Sequence, residues 1–528
     1  MNQLTADTLD LYKQALRSPS DDIAKTISTG TGLIAYDLQA PAKNLYPFVT
    51  PLRNVIPRVG GGTGTATNWR AVNAIVGSGF DSMGWVPEGQ RSGQMSYSTS
   101  NKSATFVTIG EEDAASYEAI AAGQHFEDIQ ARMTFRLLQK MMLKEEMAIL
   151  GGNAGAAAGG LSLGVPGTPT VSAVANTAST LTTATYYVKV VALTIDGFQN
   201  AGGTVLNTVA SGSVAAVTAA SVCPTTKTVT GADGKTYVLN GGSSNLSAES
   251  ASQAITSGTN MLAATVTAVV GAVAYAWFVG TASNAETLQA ITTINSVTIS
   301  APLVAGTQSA ATITADSSAN PSYAYNGLYT TAMAGGSNAY VSTLATGTAG
   351  TGTFLTASGR GSVNEIDTMF QTMWNNFQLS PTVLYVNAHE LKNITTKVLS
   401  NTAGPLLRYE RADSAEAGGE YALTASGTVA YYYNPFNTAD GTQTGLRIPI
   451  RLHPRVPPGT ILGWATNLPI QYQSNEVPNV AEVKTRQDYY QIDWPIVTRQ
   501  RQVGVYAESV LAVYAPFAMG VITNIGNG

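Results

Sequence analysis

The chain has 528 residues, room for about three or four domain-sized units at roughly 150 residues each. Lys and Arg number 28 and Asp and Glu 33, so charged residues make up only 12%, about half the ~25% of ordinary globular chains. A net charge of −5 gives no electrostatic reason to grip DNA or RNA, which takes clustered Lys and Arg, and the single cysteine, Cys223, excludes an internal disulfide and a multi-cysteine zinc site.

The three histidines, His125, His389 and His453, are too far apart in sequence to suggest a metal centre. Residues 1–20 lack a basic stretch followed by an apolar core, so no secretory signal is expected. The most apolar segment, Met261–Gly280, is broken by Thr265, Thr267 and Gly271, and no membrane span is expected.

In chain order, residues 1–30 suit a short amphipathic helix ended by Ser18-Pro19-Ser20. Pro41, Pro47, Pro51 and Pro57 then keep residues 31–59 extended. Phe48, Val49, Leu52, Val55 and Ile56 are costly to leave wet, so this stretch reads as an arm lying along another subunit. The following Gly-Gly-Gly-Thr-Gly (60–64) has no lysine and is not a phosphate loop. Alternating stretches at Thr67–Val76 and Ser103–Gly110 suggest a long hairpin with a polar tip around Trp85–Gln90. A hairpin of that length needs a neighbour to cover it. Glu111-Glu112-Asp113 reads as acidic residues favouring a helix N-terminus.

Gln124–Leu150 is the clearest helix, with Phe126, Ile129, Met133, Leu137 and Met141 on one face. Arg132, Arg136, Lys140 and Lys144 form a basic stripe, read first as a solvated face and second as contact with an acidic neighbour or polyanion. Glu145-Glu146 reads as helix surface. Gly151-Gly152 ends the helix.

Residues 153–325 differ in character, with only eight charged residues between Leu161 and Asn320. Strand-like runs at Tyr186–Leu193, Thr204–Val209, Val214–Ala219, Thr236–Leu239, Met261–Val269, Ala272–Val279 and Ser296–Ile299 suggest an inserted β-sandwich of immunoglobulin or fibronectin type. Trp277 is present, but Cys223 has no partner for the antibody-type disulfide, and it reads as an inert thiol. After it, Ser362–Glu365 matches a capping box, and Val363, Ile366, Phe370, Met373, Trp374 and Phe377 mark one helical face. A buried strand (Thr382–Val386) leads to a second helix capped by Asn387 with Glu390. His389 falls in its first turn and His453 before Pro454, both structural in this reading. Residues 404–475 return to loops and strands, and Tyr489–Tyr514 is a strand pair with Arg499 and Arg501 near its centre.

No nucleophile elbow and no metalloprotease motif occurs. No catalytic, cofactor-binding or metal residue is expected, and the chain is not read as an enzyme.

The order of these parts resembles the major capsid protein of tailed bacteriophages, the Hong Kong 97-like fold. The resemblance rests on Tyr46–Val59, Trp85–Gln90, Lys144–Asn153, Val383–Ile394, Pro457–Asn467 and Tyr506–Ile522. It implies an α+β fold with an N-terminal arm (1–59), an extended hairpin loop (60–112) and a spine-helix region (113–152). The inserted sandwich (153–325), a peripheral domain (326–403), an axial domain (404–475) and C-terminal strands (476–528) complete it. The expected function is a virion shell subunit assembled as pentamers and hexamers around double-stranded DNA, with the sandwich projecting outward. Expected partners are further copies, a separate scaffolding protein, a portal protein and a decoration protein where the virion carries one. DNA is touched only loosely, no membrane is involved, and assembly takes place in the host bacterial cytoplasm. Expected inter-subunit contacts are Phe48, Leu52, Arg53, Ile56, Arg58, Trp85, Glu88, Arg91, Arg132, Arg136 and Lys140. Some family members join subunits by a Lys–Asn crosslink; Lys102 lies near the hairpin end without a placeable partner, and no such crosslink is expected. The other reading is an adhesin-like surface or tail protein that binds through the sandwich.

Overall fold

A computed structural model describes residues 49–76, 85–94, 96–123, 128–205, 223, 226–358, 361–400, 408–411, 421–424, 429–436, 446–468 and 479–526. The expected first helix, Phe48, Phe126, His125 and most of the strands expected at 204–219 lie outside these residues. The chain divides into two units, Met1–Pro47 with Glu118–Ile129, and Phe48–Tyr117 with Gln130–Gly528. Described in the first is most of a short helix, α1 (Tyr117–Ala122), which has no buried residue. All that follows concerns the second.

Residues 50–56 form a helical turn, with the Ile56 amide donating to the Leu52 carbonyl at 3.0 Å. Strand β1 (Arg58–Val59) follows, then β2 (Ala66–Val76), β3 (Ser96–Thr105) and β4 (Val107–Ser116). Strands β2 and β3 pair antiparallel from Ala66–Thr105 to Val76–Ser96. The expected second hairpin strand, Ser103–Gly110, is therefore two strands that meet at Phe106. The second of them, β4, leaves the hairpin and pairs with residues 500–509. Glu111-Glu112-Asp113 lies inside β4, not before a helix. Its residues are register partners of Val505, Gly504 and Val503 on the neighbouring strand, while Glu111 pairs with Lys144 and Glu112 accepts from the Tyr506 hydroxyl.

Helix α2 (Ile129–Gly151) buries Met133, Leu137, Met141, Glu145, Ile149. These positions repeat every four residues, the face a helix turns to one side. At its end the chain enters the inserted segment, and it leaves close by. The Gly327 amide donates to the Gly152 carbonyl at 2.8 Å and the Asn320 amide to the Asn153 carbonyl at 2.8 Å. Asn153 also binds Leu161 and Ser318, and Asn326 accepts from the Ala154 amide.

The inserted segment holds β5 (Thr170–Ala175), β6 (Ala184–Leu193), a short helix α3 (Ile195–Asn200), β7 (Thr226–Thr230), β8 (Thr236–Asn240), β9 (Gln253–Ile255), β10 (Asn260–Thr265), β11 (Ala274–Gly280), β12 (Thr287–Thr292) and β13 (Ser296–Ile299). A three-stranded sheet (β13-β10-β5) and a four-stranded sheet (β12-β11-β6-β9) share one core, and β7–β8 is a separate hairpin. The strands at β5, β7, β9 and β12 were not expected. They are short, and β7 and β5 are too exposed to show apolar alternation. Strands β6 and β11 are buried on both faces. Val188, Val190, Tyr275, Trp277 and Val279 face the core between the two sheets, whereas Val191, Leu193, Ala274, Ala276 and Phe278 belong to the main core of the chain, with Ile149, Leu328 and Phe517. Two-sided burial is why these strands read as continuous apolar runs. Strands β6 and β11 thus belong to two cores at once, that between the two sheets and the main core of the chain.

Beyond it come α4 (Leu328–Met333), β14 (Tyr340–Thr343), α5 (Asn364–Phe377), β15 (Val383–Val386), α6 (Ala388–Ser400), β16 (Arg408–Arg411), β17 (Tyr421–Thr424), β18 (Tyr431–Asn434), β19 (Leu446–Leu452) and β20 (Ile461–Trp464), then β21 (Ala481–Asp493), β22 (Gln500–Val513) and β23 (Met519–Thr523). One six-stranded sheet, β14-β23-β20-β15-β19-β18, carries strands from both sides of residue 404. The boundary expected there runs through a single sheet. Gly463 and Gly520 are register partners in this sheet, and Met369 of α5 lies so close over both that a β-carbon on either would meet it, at 3.1 Å and 2.6 Å.

The expected capping box is not formed. Val363 is the residue that precedes α5, with its amide held by the Tyr432 hydroxyl at 2.8 Å, and Glu365 accepts from the Thr356 amide instead. Asn387 does cap α6, accepting from the His389 amide at 3.1 Å. Glu390 does not reach back to it; fully buried, it accepts from the Gly459 amide at 2.9 Å.

Candidate interaction surface

The helical turn at 50–56 starts at Pro51, which has no amide hydrogen and suits a first helical position. The amides of Leu52 and Arg53 are the free donors that every helix start leaves. Glu146 supplies the acceptors, taking Leu52 at 2.9 Å and Arg53 at 2.7 Å. His453 also binds Glu146, Nε2 to Oε1 at 2.7 Å. Because Nδ1 of His453 accepts from the Arg455 amide, Nε2–H is the donor to Glu146.

Beside it, Glu145 binds Arg53 at 2.8 Å, and also Arg58 and the Tyr489 hydroxyl. Arg58 continues to Asp488 at 2.5 Å. Burial alone would lower the Arg58 pKa; the hydrogen bond to Asp488 and the charge of Glu145 outweigh it and hold the group above its ordinary value. Burial raises the Tyr489 pKa, and the Glu145 charge raises it further. Both carboxylates are buried, at 2% and 1% exposure, and each is surrounded by donors, the condition under which a buried charge is tolerated.

Glu145 and Glu146 were expected at the helix surface; they are instead buried and hold Leu52, Arg53 and Arg58. The four-residue steps of α2 from Met133 through Leu137 and Met141 land on Glu145, and that periodicity was the available signal. The same anchor corrects the reading of the arm. Leu52 and Ile56 are buried in the chain's own core, at 0% and 3% exposure, because the anchored turn directs them inward. Arg53 and Arg58 are held by Glu145 and Asp488 of the same chain. Val49 stays largely exposed.

At the other expected positions, Trp85 is 90% exposed, with Glu88 and Arg91 also exposed beside it. Arg136 and Lys140 are exposed and Arg132 half-buried. Lys144, the fourth basic residue, is used internally: it pairs with Glu111 and donates to the Gly110 carbonyl at 2.7 Å. A further apolar patch, not foreseen, lies in the turn between β21 and β22, where Ile496 and Val497 are 66% and 87% exposed. The base of the β2–β3 hairpin is fixed by Trp69, whose indole donates to the Val513 carbonyl at 3.0 Å, and by Arg486, which donates to the Gly64 carbonyl at 2.9 Å.

Cys223 is buried, and burial pushes its thiol up to about 12. Among the described residues no group of His, Cys, Asp and Glu could hold a metal ion. No helix among them is long and apolar enough to cross a membrane.

No family model matches the sequence, and no curated protein matches it. Solved structures overlap most of its length. The capsid of a native GTA particle computed with C5 symmetry covers 96% of this chain and 100% of its own, at 8% identity and a TM-score of 0.38. The capsid of the cyanophage P-SCSP1u covers 97% and 100%, at 7% identity and 0.36. A structure of Mycobacterium phage Bobi covers 94% and 98%, at 8% identity and 0.37. Overlaps this loose are a likeness and assign nothing to the chain.

Proposed function

We propose that this chain is a structural virion protein, the major capsid subunit of a tailed phage, which self-assembles as pentamers and hexamers into an icosahedral shell around double-stranded DNA. One observation carries the reading. Strands β2 and β3, 11 and 10 residues long, pair with each other and with no third strand among the described residues. At ~3.3 Å per residue such a ribbon runs roughly 35 Å; its base is docked on the chain itself, where Ala71 is buried, and two strands that continue beyond that base are marginal in water without a neighbour. Trp85, in the segment that joins the strands, is 90% exposed. A surface of this kind is stable when other copies cover it, and many weak overlaps sum in a closed shell.

In this reading the partners are further copies, a separate scaffolding protein, a portal protein and, where present, a decoration protein. Residues 153–325 are an immunoglobulin-like sandwich. Arg136 and Lys140 are proposed as inter-subunit contacts with Trp85, Glu88 and Arg91. The adhesin-like alternative is weaker, because a sandwich whose larger sheet shares the main core is poorly suited to act as a separate binding module.

The test is electron microscopy and sedimentation of the protein made alone and with a scaffolding protein. Closed shells, or rings of five or six, are expected. Trp85→Ser should leave the subunit folded by circular dichroism and lower the yield of shells at least tenfold. A stable monomer or trimer under every condition would overturn the reading.

A further inference from the structure

Only eight charged residues lie between Leu161 and Asn320, and three of them meet at one point. Lys189, on β6, places Nζ 3.1 Å from Glu286 Oε2 and 3.6 Å from Glu249 Oε2. The same Nζ is 2.8 Å from the side-chain oxygen of Asn284. Asn284 lies in the turn between β11 and β12, held at φ 58°. Its amide donates to Glu249 at 2.8 Å and to Glu286 at 3.2 Å, and its Nδ2 donates to Ser283. The Lys189 and Glu286 side chains are 10% and 0% exposed. Glu286 Oε2, close to the ammonium, lacks the alignment of a hydrogen bond and has no other hydrogen-bond partner.

We propose that Lys189 and Asn284 join within one chain in an amide bond from Nζ to Cγ, with loss of ammonia, and that Glu286, which touches both residues, carries the protons.

The parts needed are all present. The carboxylate of Glu286 takes one proton from the Lys189 ammonium, leaving a free amine against the Asn284 carboxamide. Nζ attacks Cγ, the bond from Cγ to Nδ2 breaks, and Nζ loses a second proton as the new amide forms. The departing nitrogen takes up both protons and leaves as ammonium. Mass and charge balance, no electrons are transferred, and nothing outside the chain is consumed. The proximity of the two reacting groups stands in for the high concentration the uncatalysed reaction would need. Burial raises the Glu286 pKa, which makes its carboxylate a readier proton acceptor for the Lys189 ammonium 3.1 Å away. The bond ties β6 to the β11–β12 turn inside the inserted segment and is independent of the assembly reading.

The test is the intact mass of the full chain under denaturing conditions, followed by peptide mapping. The expected result is a mass one ammonia below that of the sequence, with a branched peptide that joins Lys189 to Asn284. Lys189→Arg, Asn284→Ala and Glu286→Gln should each restore the full mass. A wild-type chain at full mass, with the two residues in separate peptides, would overturn the proposal. Loss of ammonia that persists in Lys189→Arg would overturn it too, since the loss would then lie elsewhere. A branched peptide in Glu286→Gln would overturn the part given to Glu286.

Discussion

Glu146 shows how much one buried side chain can organise. It accepts hydrogen bonds from two arm amides and from His453, three donors from segments far apart in sequence. Each donor left unsatisfied in a buried site costs about 1 kcal/mol or more. Glu146→Ala should therefore destabilise the chain by about 3 kcal/mol in urea unfolding. It should also open the arm to trypsin after Arg53 and Arg58, which Glu145 holds in the intact chain. An unchanged unfolding midpoint with a protected arm would show that the buried Leu52 and Ile56 suffice to hold the turn. The residue types in this cluster were readable; their convergence was not, because Glu146 and His453 are 307 positions apart.

At the scale of elements, most helices and strands were legible where one face is apolar and the neighbours are local. Helix α5 and strand β15 were placed within two residues. The errors fall where a distant partner replaced a local one. The Tyr432 hydroxyl displaced the capping box of α5, and β22 drew residues 107–116 out of the hairpin. The end of α2 depends on distance in the same way. A β-carbon on Gly152 would lie 2.5 Å from the Tyr325 carbonyl oxygen and 2.7 Å from that of Ala148, both backbone atoms that cannot turn aside. Gly152→Ala should cost about 2 kcal/mol, in the range of overpacked cores. Gly167→Ala, where nothing lies within 4 Å, should stay within about 0.5 kcal/mol of the parent. Equal thermal stability of the two variants would remove Gly152 as the reason the helix can end against the exit of the inserted segment.

For the whole molecule, the inserted segment enters at Gly152 and leaves at Gly327, joined by a 2.8 Å hydrogen bond. That closeness would let a domain be excised cleanly if its faces were its own. Here they are not, since Phe278, Ala274 and Val191 belong to the main core. Deleting residues 154–325 should leave the faces that pack against them wet, giving insoluble protein without cooperative unfolding. A soluble deletion variant with a sharp thermal transition would show instead that the main core closes by itself.

Local chemistry was enough to mark the proline-rich stretch before residue 59, the long helix, and the low-charge stretch of short strands that follows it. Each depends on composition or on a period within one stretch of chain. It could not reveal where residues 52–58 are anchored, that β6 and β11 are buried on both faces, or that Lys189 meets Asn284 and Glu286. Those depend on which surfaces meet, and the free energy of burying a charge or an apolar face is set by its partner across the fold rather than by its neighbours in the chain.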